Sequence, residues 1–200
     1  SPLSRKRGIS ECHVVLDCET TGLSPYRGHR IIEIGAVLLE RDTIVDVFQS
    51  LIDTGVKIPA EAQAVHGITP AMIAGQPKPE ETFPRFHSFI RNSVLVAHNA
   101  SFDIRFLRHE FERLGLALPQ RTVCTMEMSR RVLYGLPNYR LETVYHHLFP
   151  LERMSRQTHR ALDDALITAR IWLKLKGLKE HVPQGNYTDY PRSERGVRKV

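Results

Sequence analysis

The sequence predicts an α/β domain with a mixed five-stranded sheet and helices on both faces. Three β-rich runs come first, two shorter ones then alternate with helical patterns, and those patterns repeat apolar residues every three or four positions. Cys12–Cys18 alternates and is rich in Val and Leu, as a half-buried strand does. Arg30–Glu40 and Thr43–Ile52, joined by Arg41-Asp42, read as a hairpin, with both arms expected antiparallel to the first strand. Gly75–Pro84 contains Pro77, Pro79 and Pro84 and reads as a loop leading into a helix over Phe83–Arg91. Ser93–Ala97 is a short apolar run suited to a buried strand. Phe102, Phe106, Leu107, Phe111 and Leu114 recur with helical period up to the stop signal Gly115. Thr122–Cys124 is a last short strand before a helix reaching about Leu133. Arg160–Lys176 is the clearest amphipathic helix, with Gly177 as its expected end.

At 200 residues the chain suits one domain, residues 11–177, between a basic tail at 1–10 and a Pro- and Gly-containing tail or linker at 178–200. Cys12, Cys18 and Cys124 show no CxxC spacing, which favours free thiols in a reducing compartment. No apolar run approaches membrane-spanning length and no signal-peptide core opens the chain, so a cytoplasmic protein without a membrane partner is the expectation. The net charge of +6 is polarised. Residues 11–100 carry seven Lys/Arg against eleven Asp/Glu, whereas 101–177 carry thirteen against eight. That distribution fits an acidic pocket beside a phosphate-binding surface, and it equally fits solvated arginines on helix faces.

Asp17 and Glu19 lie two apart at the end of the first strand, so both carboxylates project to one side while Cys18 points into the other layer. Spacing alone carries little weight, since 22 acids in this chain produce about two such pairs by chance. Placement separates this pair from Glu40/Asp42, at a hairpin turn, and from Glu110/Glu112, expected on a solvated helix face. The carboxyl end of a strand in an open α/β sheet is where ligands bind.

Leu16-Asp17-Cys18-Glu19-Thr20-Thr21-Gly22 resembles the first motif of the DEDDh 3′→5′ exonucleases, the group that includes the proofreading subunit of bacterial DNA polymerase III. His98-Asn99-Ala100-Ser101-Phe102-Asp103 is similar to the second motif, and His159-Arg160-Ala161-Leu162-Asp163-Asp164-Ala165 to the third. Val65-His66-Gly67-Ile68-Thr69 matches a segment placed between the first two. The resemblance covers nearly the whole core. It implies a ribonuclease H-like fold, metal binding by Asp17, Glu19, Asp103 and Asp164, and His159 as general base. It also puts Thr20, Leu23, His66 and Phe102 around the terminal nucleotide, backbone near Thr21 and Gly22 at the 3′-OH, and Asn99 in the substrate-binding set.

The residue types suit that chemistry. Gathered carboxylates repel unless cations neutralise them. An all-oxygen set selects Mg²⁺ or Mn²⁺ over Zn²⁺, and two such ions about 4 Å apart clamp the attacking and leaving oxygens of a phosphoryl displacement. A histidine titrates where a water must lose a proton. Plain structural roles stand beside these. Asp103, Asp163 and Asp164 are acids at helix starts, Asn99 is an N-cap candidate, and His66 precedes Thr69-Pro70, a helix-start signal. His87, His109, His146, His147 and His181 read as surface or satisfied core residues.

The expected partners are single-stranded nucleic-acid 3′ ends, DNA by resemblance with RNA open, and a DNA polymerase or other replication or repair subunit. A non-catalytic nucleic-acid-binding module on the same fold and a phosphoesterase of small nucleotides are the readings from other classes.

Overall fold

The computed structural model describes residues 12–154 and 160–180, with side chains as far as 178. Five strands form one sheet in the order β3-β2-β1-β4-β5. They are β1 (Cys12–Thr20), β2 (Ile31–Glu40), β3 (Thr43–Leu51), β4 (Ser93–Ala97) and β5 (Thr122–Cys124). β2 is antiparallel to β1, while β4 and β5 are parallel to it and to each other. β3 departs from expectation. It is antiparallel to β2 and therefore runs with β1, because the two-residue turn at Arg41-Asp42 reverses the chain once more.

Seven helices complete the described residues: α1 (Ala60–His66), α2 (Pro70–Ile73), α3 (Pro79–Phe89), α4 (Ala100–Arg113), α5 (Thr125–Val132), α6 (Leu141–Leu148) and α7 (Ala161–Glu180). Alternation in β1 splits the core between two faces. Val14, Leu16 and Cys18 join Phe83, Phe86, Phe106 and Phe111 of α3 and α4. Val15 joins Val37, Leu39 and Val96 against Ala169 and Trp172 of α7.

Several boundaries moved for local reasons. α3 begins at Pro79 rather than Phe83, since proline is at home in a first turn, where the Lys78 N–H also donates to Glu81 Oε1 at 3.3 Å. Gly177 does not end α7. A glycine costs a helix interior only about 1 kcal/mol, and Leu178 still packs beside Leu175. Glu110 is not solvated. It is 2 % exposed and takes a bidentate pair from Arg30 at 2.7 Å from both Nε and Nη2, joining α4 to the start of β2. Glu112 and the hairpin acids Glu40 and Asp42 are exposed as expected.

Candidate active site

At the end of β1 the pleat sends Asp17 and Glu19 towards α7 while Cys18 packs among the residues of α4. The cross-strand neighbours on β2 are Gly35 opposite Asp17 and Glu33 opposite Glu19. Gly35 has no side chain where α7 lands: a Cβ there would lie 2.2 Å from the Leu162 N atom and 2.4 Å from the Ala161 carbonyl carbon. Glu33, 0 % exposed, receives Arg160 through Nη2 at 2.6 Å and Nε at 3.0 Å, and accepts the Ala161 N–H at 3.2 Å. Together they fix the first turn of α7 over β1, and Asp164 arrives in that turn, its N–H bonded to Arg160 O at 3.0 Å. One carboxylate oxygen from each of Asp17, Glu19 and Asp164 then lies within 4.8 Å of the others.

Asp103 comes from the opposite side. It stands in the first turn of α4, and its Oδ1 accepts the Cys18 N–H at 3.1 Å, on the backbone between Asp17 and Glu19. Burial pushes its carboxyl up to about 7. Burial, with the neighbouring Asp103, Asp17 and Glu19 charges, holds the Cys18 thiol well above its ordinary value. The structure therefore gathers three of the four predicted carboxylates into one oxygen-lined cluster and sets the fourth beside the same strand end. Asp163 is exposed, as an acid at a helix start. His159 lies outside the described residues, as do His181 and both tails apart from the last turn of α7.

A groove of about 660 Å³ opens beside Glu19, walled by the Thr20–Leu23 segment, His29, α1 and Phe102. Thr20 Oγ1 donates to Gly22 O at 2.7 Å, and Thr21 Oγ1 accepts the Arg30 N–H at 3.0 Å. A Cβ on Gly22 would sit 2.4 Å from the His29 ring, so the glycine lets that ring close the wall. Leu23 is 80 % exposed at the mouth. Arg105 Nη2 donates to its carbonyl at 3.3 Å, with the guanidinium carbon 5.9 Å from the Phe102 ring centroid. His66 is buried in the wall, and its Nδ1 accepts the Ile68 N–H at 3.0 Å, placing the hydrogen of the neutral ring on Nε2. Asn99 caps α4 in a left-handed conformation (φ 67°) and does not line the groove.

The sequence profile of the exonuclease family RNase T matches residues 14–172. The chain belongs to this exonuclease family. DNA polymerase III subunit epsilon of Aquifex aeolicus is 34 % identical over 92 % of this chain and 90 % of that one. DNA polymerase III PolC-type of Caldanaerobacter subterraneus is 38 % identical over 81 % of this chain, which spans only 11 % of that much longer relative. Exonuclease X, solved in complex with 5′ overhanging duplex DNA, superposes with a TM-score of 0.68 at 29 % identity, covering 85 % of this chain and 94 % of that one. The exonuclease fold is thus ribonuclease H-like, as expected from the motifs, and the family's use of divalent metal ions agrees with the carboxylate cluster. Among the described residues no helix is long and apolar enough to cross a membrane.

The supporting residues of this exonuclease domain were not foreseen. Glu33 and Arg160 are 127 positions apart, and neither belongs to a pattern that announces the pair. Two local signals were available in β2: Gly35, a glycine inside a strand, which marks a close approach of backbone, and Glu33, a single acid within an apolar run.

Proposed function

We propose that this domain hydrolyses phosphodiester bonds one at a time from the 3′ end of single-stranded or frayed DNA, releasing nucleoside 5′-monophosphates. The convergence of Asp17, Glu19 and Asp164 beside a groove open to solvent supports this reading most. An all-oxygen set of buried and half-buried carboxylates fits a hard divalent cation, and Asp17, Glu19, Asp103 and Asp164 would hold two ions of Mg²⁺ or Mn²⁺. Those ions, when bound, would activate the attacking water and stabilise the leaving 3′ oxygen. The chain's own work is positioning. Glu33 and Arg160 fix the turn that carries Asp164, and Cys18 N–H orients Asp103. His159, in the third motif, takes the proton of the attacking water. Thr20, Leu23, Phe102 and His66 would surround the terminal nucleotide, the base held by apolar contact that tolerates any base, with backbone near Thr21 and Gly22 at the 3′-OH and Asn99 setting the start of α4.

DNA is favoured by the likeness to DNA polymerase III PolC-type and to DNA polymerase III subunit epsilon, and a polymerase or another replication or repair subunit is the proposed partner for the same reason. The test is digestion of 5′-labelled single-stranded DNA and RNA of one sequence with Mg²⁺, Mn²⁺ or EDTA, alongside His159→Ala. A metal-dependent ladder shortening from the 3′ end and lost in the variant is expected, with DNA the faster. Strands that bind but are never shortened would replace the enzyme with a binding module, and a faster RNA ladder would reverse the substrate.

A further inference from the structure

We infer that the segment Arg130–Arg140, beside the catalytic end of the sheet, is a binding surface for the part of the nucleic-acid strand upstream of the bond being cut. This rests on the exonuclease reading and extends it to residues outside the three motifs.

The segment Met128–Leu141 contains Arg130, Arg131 and Arg140, Tyr134 and Tyr139, and no acid. Tyr134 is 82 % exposed, and Arg130, Arg131 and Arg140 are exposed with it. A large exposed aromatic among cations is the composition that binds single strands, with rings for bases and guanidinium groups for phosphates.

The surface is also held in place. Tyr139 Oη donates to Leu133 O at 2.8 Å, closing the loop across its base, and the Arg130 guanidinium lies 5.8 Å from the Tyr139 ring centroid. Asn138 Oδ1 accepts the Arg140 N–H at 3.0 Å and the Thr143 hydroxyl at 2.8 Å. Tyr134 thus projects from a braced loop, so stacking on it costs little ordering.

Its location ties it to the active site. His98 donates from Nε2 to Tyr139 O at 2.8 Å, while its Nδ1 meets the Thr125 hydroxyl at 2.9 Å. His98 follows the last residue of β4, and β4 runs parallel beside β1 with Val96 opposite Val15. His98 thus leaves β4 two residues after the last pair with β1, on the side of β1 away from β2. The groove for the terminal nucleotide is walled by the Thr20–Ser24 segment, α1 and Phe102, and the Tyr134 loop is bonded to His98 where β4 ends. A strand with its 3′ end in the groove and its scissile phosphate at the carboxylates would therefore run on towards Tyr134.

The test compares the wild-type chain with Tyr134→Ala, Tyr134→Trp and the triple variant R130Q/R131Q/R140Q on two substrates. One is a long single-stranded DNA, and the other is the p-nitrophenyl ester of thymidine 5′-monophosphate, which has no upstream strand. Tyr134→Ala is expected to raise KM for the long strand about tenfold, Tyr134→Trp to restore it, and turnover of the ester to stay unchanged throughout. The triple variant is expected to flatten the dependence of log KM on log salt by about two units, three phosphates each contributing about 0.7. Unchanged KM and salt slope on the long strand would overturn the proposal and leave the loop to a protein partner. Equal losses on both substrates would also overturn it, because the loop would then be supporting the carboxylates. A wild-type chain that cleaves neither substrate would overturn the exonuclease reading instead.

Discussion

Gly35 stands directly opposite Asp17 across β1 and β2, and the first turn of α7 occupies the space its side chain would fill. The approach that brings Asp164 to Asp17 is therefore set by a missing methyl group on a third residue. Gly35→Ala would place a Cβ 2.2 Å from the Leu162 N atom, a backbone atom that cannot rotate away. We expect α7 to be displaced, stability to fall by about 1–3 kcal/mol, and digestion to fall about a hundredfold, since a shift near 1 Å costs that much. Denaturant unfolding and single-turnover digestion check it. Wild-type turnover in this variant would show that the approach of α7 does not govern the site.

Glu33 gives a second prediction. Arg160→Leu leaves its buried carboxylate without the guanidinium that neutralises it and should cost about 3–5 kcal/mol. Adding Glu33→Leu should recover much of that stability without recovering turnover, because it also removes the acceptor of the Ala161 N–H. A double variant as unstable as the single one would mean that packing, and not buried charge, was lost.

The Asp103 carboxyl, raised by burial to about 7, makes the metal-free protein sensitive to pH. The folded state keeps a proton that the unfolded chain releases from about pH 4 upwards. Stability in EDTA should thus fall between about pH 4 and 7, by at most about 1.4 kcal/mol per unit, and level off above. Asp103→Asn should remove that slope, making the metal-free fold relatively more stable at pH 8 while abolishing digestion. Equal slopes for the two proteins in urea titrations across this range would rule the assignment out.

Metal should reverse the same equilibrium. A cation at the carboxylates favours the ionised form, so Mn²⁺ binding near pH 6.5 should release a proton and tighten towards pH 8. Calorimetry in two buffers of different ionisation enthalpy reads that proton directly.

Leu23 separates binding from folding. Leu23→Ala at so exposed a position should change stability by no more than about 0.5 kcal/mol. It should raise KM for single-stranded DNA about tenfold through lost apolar contact. A thermal melt and a KM measurement on one preparation suffice, and an unchanged KM would remove Leu23 from the pocket.

The sequence made the acids legible and hid what holds them. Asp17, Glu19, Asp103 and Asp164 stand in short motifs, each readable within a few residues. The Glu33–Arg160 pair depends on a helix folding back across the sheet, so no local pattern contains it. Glu110 departs from the solvated face expected of an acid, because it lies four positions after Phe106 on the face that α4 buries. The same kind of spacing would have found α6, where Leu141, Val144, Tyr145 and Leu148 repeat at helical intervals. α1, where His66 alone is buried and Ala60 and Ala64 are exposed, offered a weaker signal. Strand order required knowing which edges pair, and that is decided by the completed sheet, whereas the direction of β3 follows locally from its hairpin with β2.

The segment from Thr21 to Arg30 is fastened at both ends, by the paired bonds of Thr21 with Arg30 and by the grip of Arg30 on Glu110. A wall held this way has little freedom left to surrender when a nucleotide arrives. Little of the binding energy of a strand end should then be spent on ordering this wall. Discrimination between ends would fall to whether a base can leave its neighbour, a property of the nucleic acid and not of the protein.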